Sequence, residues 1–266
     1  MKTYIAVLAT APLRSLRLAL GSAVVGLGLV ASATSASAAT FNVTYEAPGV
    51  LNSTATFSSS GVETFDSRPI ADGQSFNTDF GTGGVISGAY TGVDIRAANQ
   101  YGGASATNFA SIASSQGYSL ALSTTDPRGI NYFGFWLSAL DGGNNLAFYK
   151  AGVLQFTFNA GDVTTLLAGK PAYAGNPNAP FEGANANQPY AFLNFYDTDG
   201  TFDQVVFSEA PQIGGYESDN HTVGFFTSQG GTPIAVPEPT SWALMLLGFG
   251  GLGSVLRARR RLLVAA

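Results

Sequence analysis

The amino-acid sequence predicts an all-β fold, an antiparallel, jelly-roll-like β-sandwich, and three observations carry that expectation. Period-two alternation is clear over Val153–Asn159, where Leu154, Phe156 and Phe158 share one face and Gln155, Thr157 and Asn159 the other. The 33 glycines, with abundant Ser, Thr and Asn, suit short strands and tight turns and are poor in helix interiors. Turn signals punctuate the apolar runs at Asp141-Gly142-Gly143-Asn144, Asn159-Ala160-Gly161-Asp162 and Asp199-Gly200, where Gly or Asn can take positive φ. A sheet with one wet face must bury the other, so two sheets packed face to face are the natural solution.

In chain order, strands are expected at Phe41–Ala47, Thr54–Ser59, Val85–Ala97, Ser119–Thr124 and Ile130–Ser138. They continue at Leu146–Lys150, Val153–Asn159, Tyr190–Tyr196, Gln204–Glu209 and His221–Thr227. Asp162 is placed to cap a short helical turn over Val163–Ala168, the one helix expected in the body. There is no internal repeat of useful length. Gly230-Gly231-Thr232-Pro233 begins a linker, so the body is expected to span residues 39–228 and the linker 229–236.

Hydrophobic residues make up 45% of the chain and charged residues only 11%, which favours a packed core over disorder. Charge is divided unevenly. Lys2, Arg14, Arg17, Arg257, Arg259, Arg260 and Arg261 lie in the two ends, leaving Arg68, Arg96, Arg128, Lys150 and Lys170 in an otherwise acidic body. A nucleic-acid partner needs a basic face and is excluded on that ground; cations and neutral polymers suit the body better. The absence of cysteine excludes disulfides, thiolate metal sites and cysteine nucleophiles.

Both ends read as addresses. Lys2, Arg14 and Arg17 precede the apolar run Leu18–Val30, and Ala36-Ser37-Ala38 then supplies the small residues that signal peptidase reads, so residues 1–38 are expected to be a signal peptide cut after Ala38. Arg14 and Arg17 are not adjacent, which favours the general secretory route. At the other end, Pro237, Glu238 and Pro239 form a stiff, accessible segment. Trp242 and Ala243 open an apolar run to Leu256, followed by Arg257, Arg259, Arg260 and Arg261, which the positive-inside rule keeps cytoplasmic. Trp242 to Leu256, as helix, is about 22 Å long against a hydrocarbon core of roughly 30 Å. Such a short C-terminal transmembrane helix suits a transient hold on the inner membrane.

Residues 237–261 closely resemble the PEP-CTERM sorting domain in its PEPxxWA form, matched by Pro237, Glu238, Pro239, Trp242 and Ala243. The resemblance implies recognition by an exosortase, a membrane-embedded transpeptidase-like enzyme of Gram-negative bacteria that make extracellular polysaccharide. Glu238 is then part of a substrate motif. The body phrases Tyr132-Phe133-Gly134-Phe135-Trp136, Asn145-Leu146-Ala147-Phe148-Tyr149, Tyr173-Ala174-Gly175-Asn176-Pro177-Asn178, Phe192-Leu193-Asn194-Phe195-Tyr196 and Gly215–Val223 are similar to a family of exosortase-dependent surface proteins of cyanobacteria and proteobacteria.

Within the body, Asp197-Thr198-Asp199-Gly200 with Asp203 reads either as a solvated hairpin turn or as a fragment of a calcium loop, with Glu209, Glu217 or Asp219 available to complete it. Glu217, Asp219, Asn220 and His221 form the densest polar cluster. His221 is the sole histidine, which makes a zinc site improbable, and no Gly-x-Ser-x-Gly elbow occurs in the mature body to pair with it. Structural hydrogen bonding by Asp219 and Asn220 at a strand start is the plainer reading. Tyr173, Tyr190, Tyr216 and Trp136 are available for sugar stacking if exposed, with Trp136 expected in the core.

The expectation is an exported, non-enzymatic cell-surface or matrix protein, processed by an exosortase, held briefly at the inner membrane and associated with exopolysaccharide. A calcium-assisted carbohydrate-binding module is the alternative, and a secreted hydrolase the third reading.

Overall fold

In a computed structural model of the chain, the structure describes residues 41–104, 106–112, 117–140, 142–212 and 214–234. The expected signal peptide, the sorting motif Pro237–Ala243, the apolar run behind it and its arginines lie outside the described residues. Among the described residues no helix is long and apolar enough to cross a membrane.

Among the described residues thirteen strands form the body: β1 (Phe41–Tyr45), β2 (Thr56–Glu63), β3 (Ala71–Thr78), β4 (Ile86–Arg96), β5 (Phe109–Ile112), β6 (Gly117–Thr124) and β7 (Tyr132–Ser138). They continue as β8 (Asn144–Lys150), β9 (Val153–Asn159), β10 (Ala191–Asp197), β11 (Gln204–Glu209), β12 (Tyr216–Ser228) and β13 (Thr232–Ile234). All belong to one antiparallel sheet ordered β13-β1-β10-β7-β12-β5-β4-β6-β11-β8-β9, with β2 added to β12 and β3 to β4.

That sheet curls so that its two halves pack against each other. Phe133 and Phe135 of β7 meet Phe207 of β11 edge-on, at 5.9 and 5.4 Å between ring centroids. Phe195 of β10 meets Phe148 of β8 and Phe158 of β9, at 5.3 and 5.0 Å, and Phe41 of β1 stacks on Phe156 of β9 at 4.6 Å. Layer one is therefore β13-β1-β10-β7-β12 with β2, and layer two is β4-β6-β11-β8-β9 with β3. The two-layer antiparallel expectation is met by a single sheet, because β5 bridges the layers: it pairs with Tyr216–Ser218 of β12 on one side and Asp94–Arg96 of β4 on the other. Its four residues, Phe-Ala-Ser-Ile, are all buried, as a corner between two packed layers requires.

Several local expectations change. Leu154 was expected on the buried face of β9, yet it is 51% exposed; a register irregularity between Phe148 and Tyr149 shifts the start of this edge strand, and only Phe156 and Phe158 pack inward. The helix α1 runs from Gly161 to Leu167, and Asp162 lies in its first turn rather than capping it. Asn159 does the local work instead, its Oδ1 accepting the Gly161 N–H at 2.7 Å. Thr232–Ile234, within the stretch expected as linker, pairs with β1 as β13.

Candidate functional site

Two polar constellations and one chain exit stand out. The first surrounds His221. Opposite β7, β12 has a register shift between Asp219 and Thr222, and Asn220 there takes φ of +49°. On a regular strand residues three apart face opposite ways; the irregularity lets Ser218 and His221 both point between the layers. His221 is fully buried, with Nδ1 2.9 Å from the Tyr90 hydroxyl and Nε2 3.0 Å from Ser218 Oγ, which in turn lies 2.8 Å from the Tyr118 hydroxyl. Phe207 stacks on the imidazole at 5.1 Å with an interplanar angle of 1°, and Phe65 meets it edge-on at 4.9 Å.

Burial in this apolar box pushes the His221 pKa down to about 3, so the ring is a neutral hydrogen-bonding strut near pH 7. Asp219 faces the other side of layer one, where its Oδ2 accepts the Ala104 N–H at 2.7 Å and its Oδ1 the Asn220 N–H at 2.7 Å. Burial pushes its pKa up to about 8 against the pull of those two donors. Asn220 donates to the Leu51 carbonyl at 2.9 Å. The hydrogen-bonding role read for Asp219 and Asn220 holds, but in mid-strand, at an irregularity, rather than at a strand start.

The aspartates of the stretch read as a hairpin turn or a calcium-loop fragment are each engaged by backbone donors or exposed. Asp197, at the end of β10, is buried, and its Oδ1 accepts the Asp199 N–H at 3.3 Å; burial raises its pKa. Asp203 accepts the Ala151 N–H at 2.9 and 3.1 Å, fastening the β8–β9 turn to β11. Asp199 is exposed. Among the described residues no group of three or more His, Asp or Glu side chains is gathered to hold a metal ion. Glu209, named to complete such a site, accepts the Gly214 N–H at 2.7 Å.

The rings considered for sugar stacking are buried or half-buried. Trp136, Tyr190 and Tyr216 are at most 2% exposed, because loops cover the outer side of layer one and the two layers enclose Tyr216. Tyr173 is half-buried, with its hydroxyl donating to the Glu46 carbonyl at 3.0 Å. These four rings form no exposed platform.

The third feature, missed by sequence reasoning, is the way the chain leaves the body. Tyr196, on the outer side of β10, accepts the Gly230 N–H at 3.0 Å and donates to the Gly230 carbonyl at 3.2 Å. Thr44 Oγ1 donates to the same carbonyl at 2.7 Å. Gly231 takes φ of +75°, and a Cβ on it would lie 2.5 Å from Thr44 Oγ1, so the tight passage requires glycine. Thr44 belongs to a buried network in which Asn194 Nδ2 donates to Thr44 Oγ1 and to Glu46 Oε1, both at 3.0 Å. Asn194 Oδ1 accepts from Tyr132 at 2.6 Å and Ser53 at 2.9 Å, and Thr54 donates both its N–H and its hydroxyl to Glu46. The Gly230-Gly231 pair, visible in sequence as a breaker, was the signal that could have located this clasp.

Beyond the clasp, β13 pairs Tyr45 with Thr232, Thr44 with Pro233 and Val43 with Ile234, so the chain runs off toward Phe41, where β1 begins. No curated protein matches this chain. A family model does match its end: residues 235–261, beginning directly after β13, are a PEP-CTERM protein-sorting motif, the mark of an exported protein sorted by an exosortase.

Proposed function

We propose that this chain is a non-catalytic cell-surface or matrix protein, delivered by exosortase processing of its tail and residing in the extracellular polysaccharide of the cell that makes it. The sorting motif at residues 235–261 carries the reading. In this view residues 1–38 are removed by signal peptidase, the apolar run and arginines behind Trp242 hold the precursor at the inner membrane, and the body of β1 to β13 is the part that persists outside. The non-catalytic assignment is supported by the use of the sole histidine: both His221 ring nitrogens are within hydrogen-bond reach of Tyr90 and Ser218 inside the core, where no substrate reaches them. The phrases in β7, β8, β10 and β12 that resemble exosortase-dependent surface proteins are the strands of the core itself.

Mass spectrometry of the mature C-terminus, in cells with an active exosortase, tests this. The expected product lacks the arginines of residues 257–261, and Glu238→Ala leaves the precursor intact and membrane-bound. A full-length chain persisting in those cells would overturn the proposal.

A further inference from the structure

β13 differs from every other strand of the body. It has three residues, one of them Pro233, which has no N–H to donate, and two of the three are exposed. Among the described residues its one strand partner is β1, through Val43, Thr44 and Tyr45. Immediately upstream, Gly230 is fixed by Tyr196 and Thr44 on three hydrogen bonds. Only Ala235 and Val236 separate Ile234 from Pro237, a reach of about 7 Å fully extended. An enzyme that reads Pro237, Glu238 and Pro239 as an extended segment has to straddle several residues on either side, and with β13 in place the folded sheet occupies the upstream side.

We infer that β13 is a detachable leash: the sorting enzyme engages the motif only when β13 unzips from β1, and the Gly230 clasp stops the unzipping from spreading into β12. This rests on the exosortase reading above. Unzipping frees residues 231–236, roughly 20 Å of chain, enough to present the motif clear of the body. Short, proline-bearing edge segments sit at the low end of local opening free energies, whereas Gly230 is tied into the buried Thr44–Asn194–Glu46 network. The described chain also begins at this edge, with Phe41 opening β1 two residues before Val43, the partner of Ile234.

The absence of native cysteine makes a clean test available. In the full-length precursor, Val43→Cys with Ile234→Cys places a cross-strand pair where β13 meets β1 while leaving the Thr44 hydroxyl of the clasp in place, and oxidation staples the strand shut. Tail removal is followed by mass in exosortase-competent cells. The processing rate scales with the fraction of molecules open, so the oxidised variant is expected to be cut at least roughly tenfold more slowly than wild type. Reductant should restore the rate, which shows that the substitutions themselves leave the protein competent. A flexible insert of about six Gly/Ser residues after Ile234 should restore it even in the stapled protein, by supplying the reach that unzipping otherwise provides. Equal rates for wild-type and stapled protein, or a stapled protein that the insert does not rescue, would overturn the leash. If wild type is itself never cut while other sorted proteins of the same cells are, the exosortase reading fails, and this inference falls with it.

Discussion

The outer faces of the two layers are built on opposite principles. In layer two, β6, β8 and β11 keep strict alternation: Tyr118, Leu120 and Leu122 point inward while Ser119, Ala121 and Ser123 face out, and Val205 and Phe207 alternate with Gln204, Val206 and Ser208. Small and polar residues line up across strands, as in the row Ala89, Ala121, Gln204, which Tyr149 ends. In layer one, every residue of β7 and of β10 is buried. Loops cover the second face, and the polar groups there, Asn194, Glu46 and Asp219, are each satisfied by partners. An alternating layer tolerates change on its wet side, whereas a layer covered on both sides has no neutral positions.

The largest effect expected from this contrast is at the aromatic residues. Trp136 lies on the outer face of β7, opposite Phe192 and against Tyr190 at 5.6 Å. Its replacement by Ala should cost about 3–5 kcal/mol in denaturant unfolding, a core value on a nominally outer face. Val206, on the outer face of β11, should lose under about 1 kcal/mol on the same change, since its half-exposed side chain leaves no sealed cavity. Similar losses at the two positions would mean that the layers do not differ.

That same contrast explains what was legible in the sequence. The layer-two strands other than β3 are legible to within a residue or two because alternation is a local signal. β7 and β10 were found as apolar runs, but nothing local says that Asn194 in Phe-Leu-Asn-Phe-Tyr is the centre of a polar network, because its partners Thr44, Glu46 and Ser53 lie about 140 to 150 residues away. β3 was missed since Ala-Asp-Gly-Gln-Ser-Phe-Asn-Thr carries turn residues and irregular register with β4. β5 was missed because four residues hold too little periodicity. The first half of β12 was read as a polar cluster because its burial depends on both layers closing over it. Of the functional content, the sorting motif was fully legible, being a linear signal that another enzyme reads; the clasp at Gly230 was not, being made only by folding.

A second test removes the polar centre of layer one. Asn194→Ala deletes donors to Thr44 and Glu46 and the acceptor for Tyr132 and Ser53, leaving a buried carboxylate with one partner fewer. A loss of about 2–4 kcal/mol is expected, of the size seen when a buried polar group is stranded. Because Thr44 also holds Gly230, this variant should in addition raise hydrogen exchange at residues 230–234, a readout that a general loss of packing would not confine to that edge.

The smallest net effect in the wild type comes from two opposed titrations, and pH separates the interior of the sandwich from the covered face of layer one. His221, between the layers, has its folded pKa lowered to about 3 from 6.5, so the unfolded chain binds the extra proton and stability is lost as pH falls from about 6.5 toward 3. Asp219, on the outer side of layer one, has its folded pKa raised to about 8 from 3.8; here the folded state holds the proton, and stability declines as pH rises from about 4 toward 8. The two slopes oppose each other between about pH 4 and 6.5, so the contributions of these two groups offset one another there. His221→Gln should uncover a net decline in stability with rising pH across that window, and Asp219→Asn a net increase, in urea unfolding at fixed ionic strength. Parallel pH profiles for the two variants would show that the groups do not titrate on folding as their surroundings dictate.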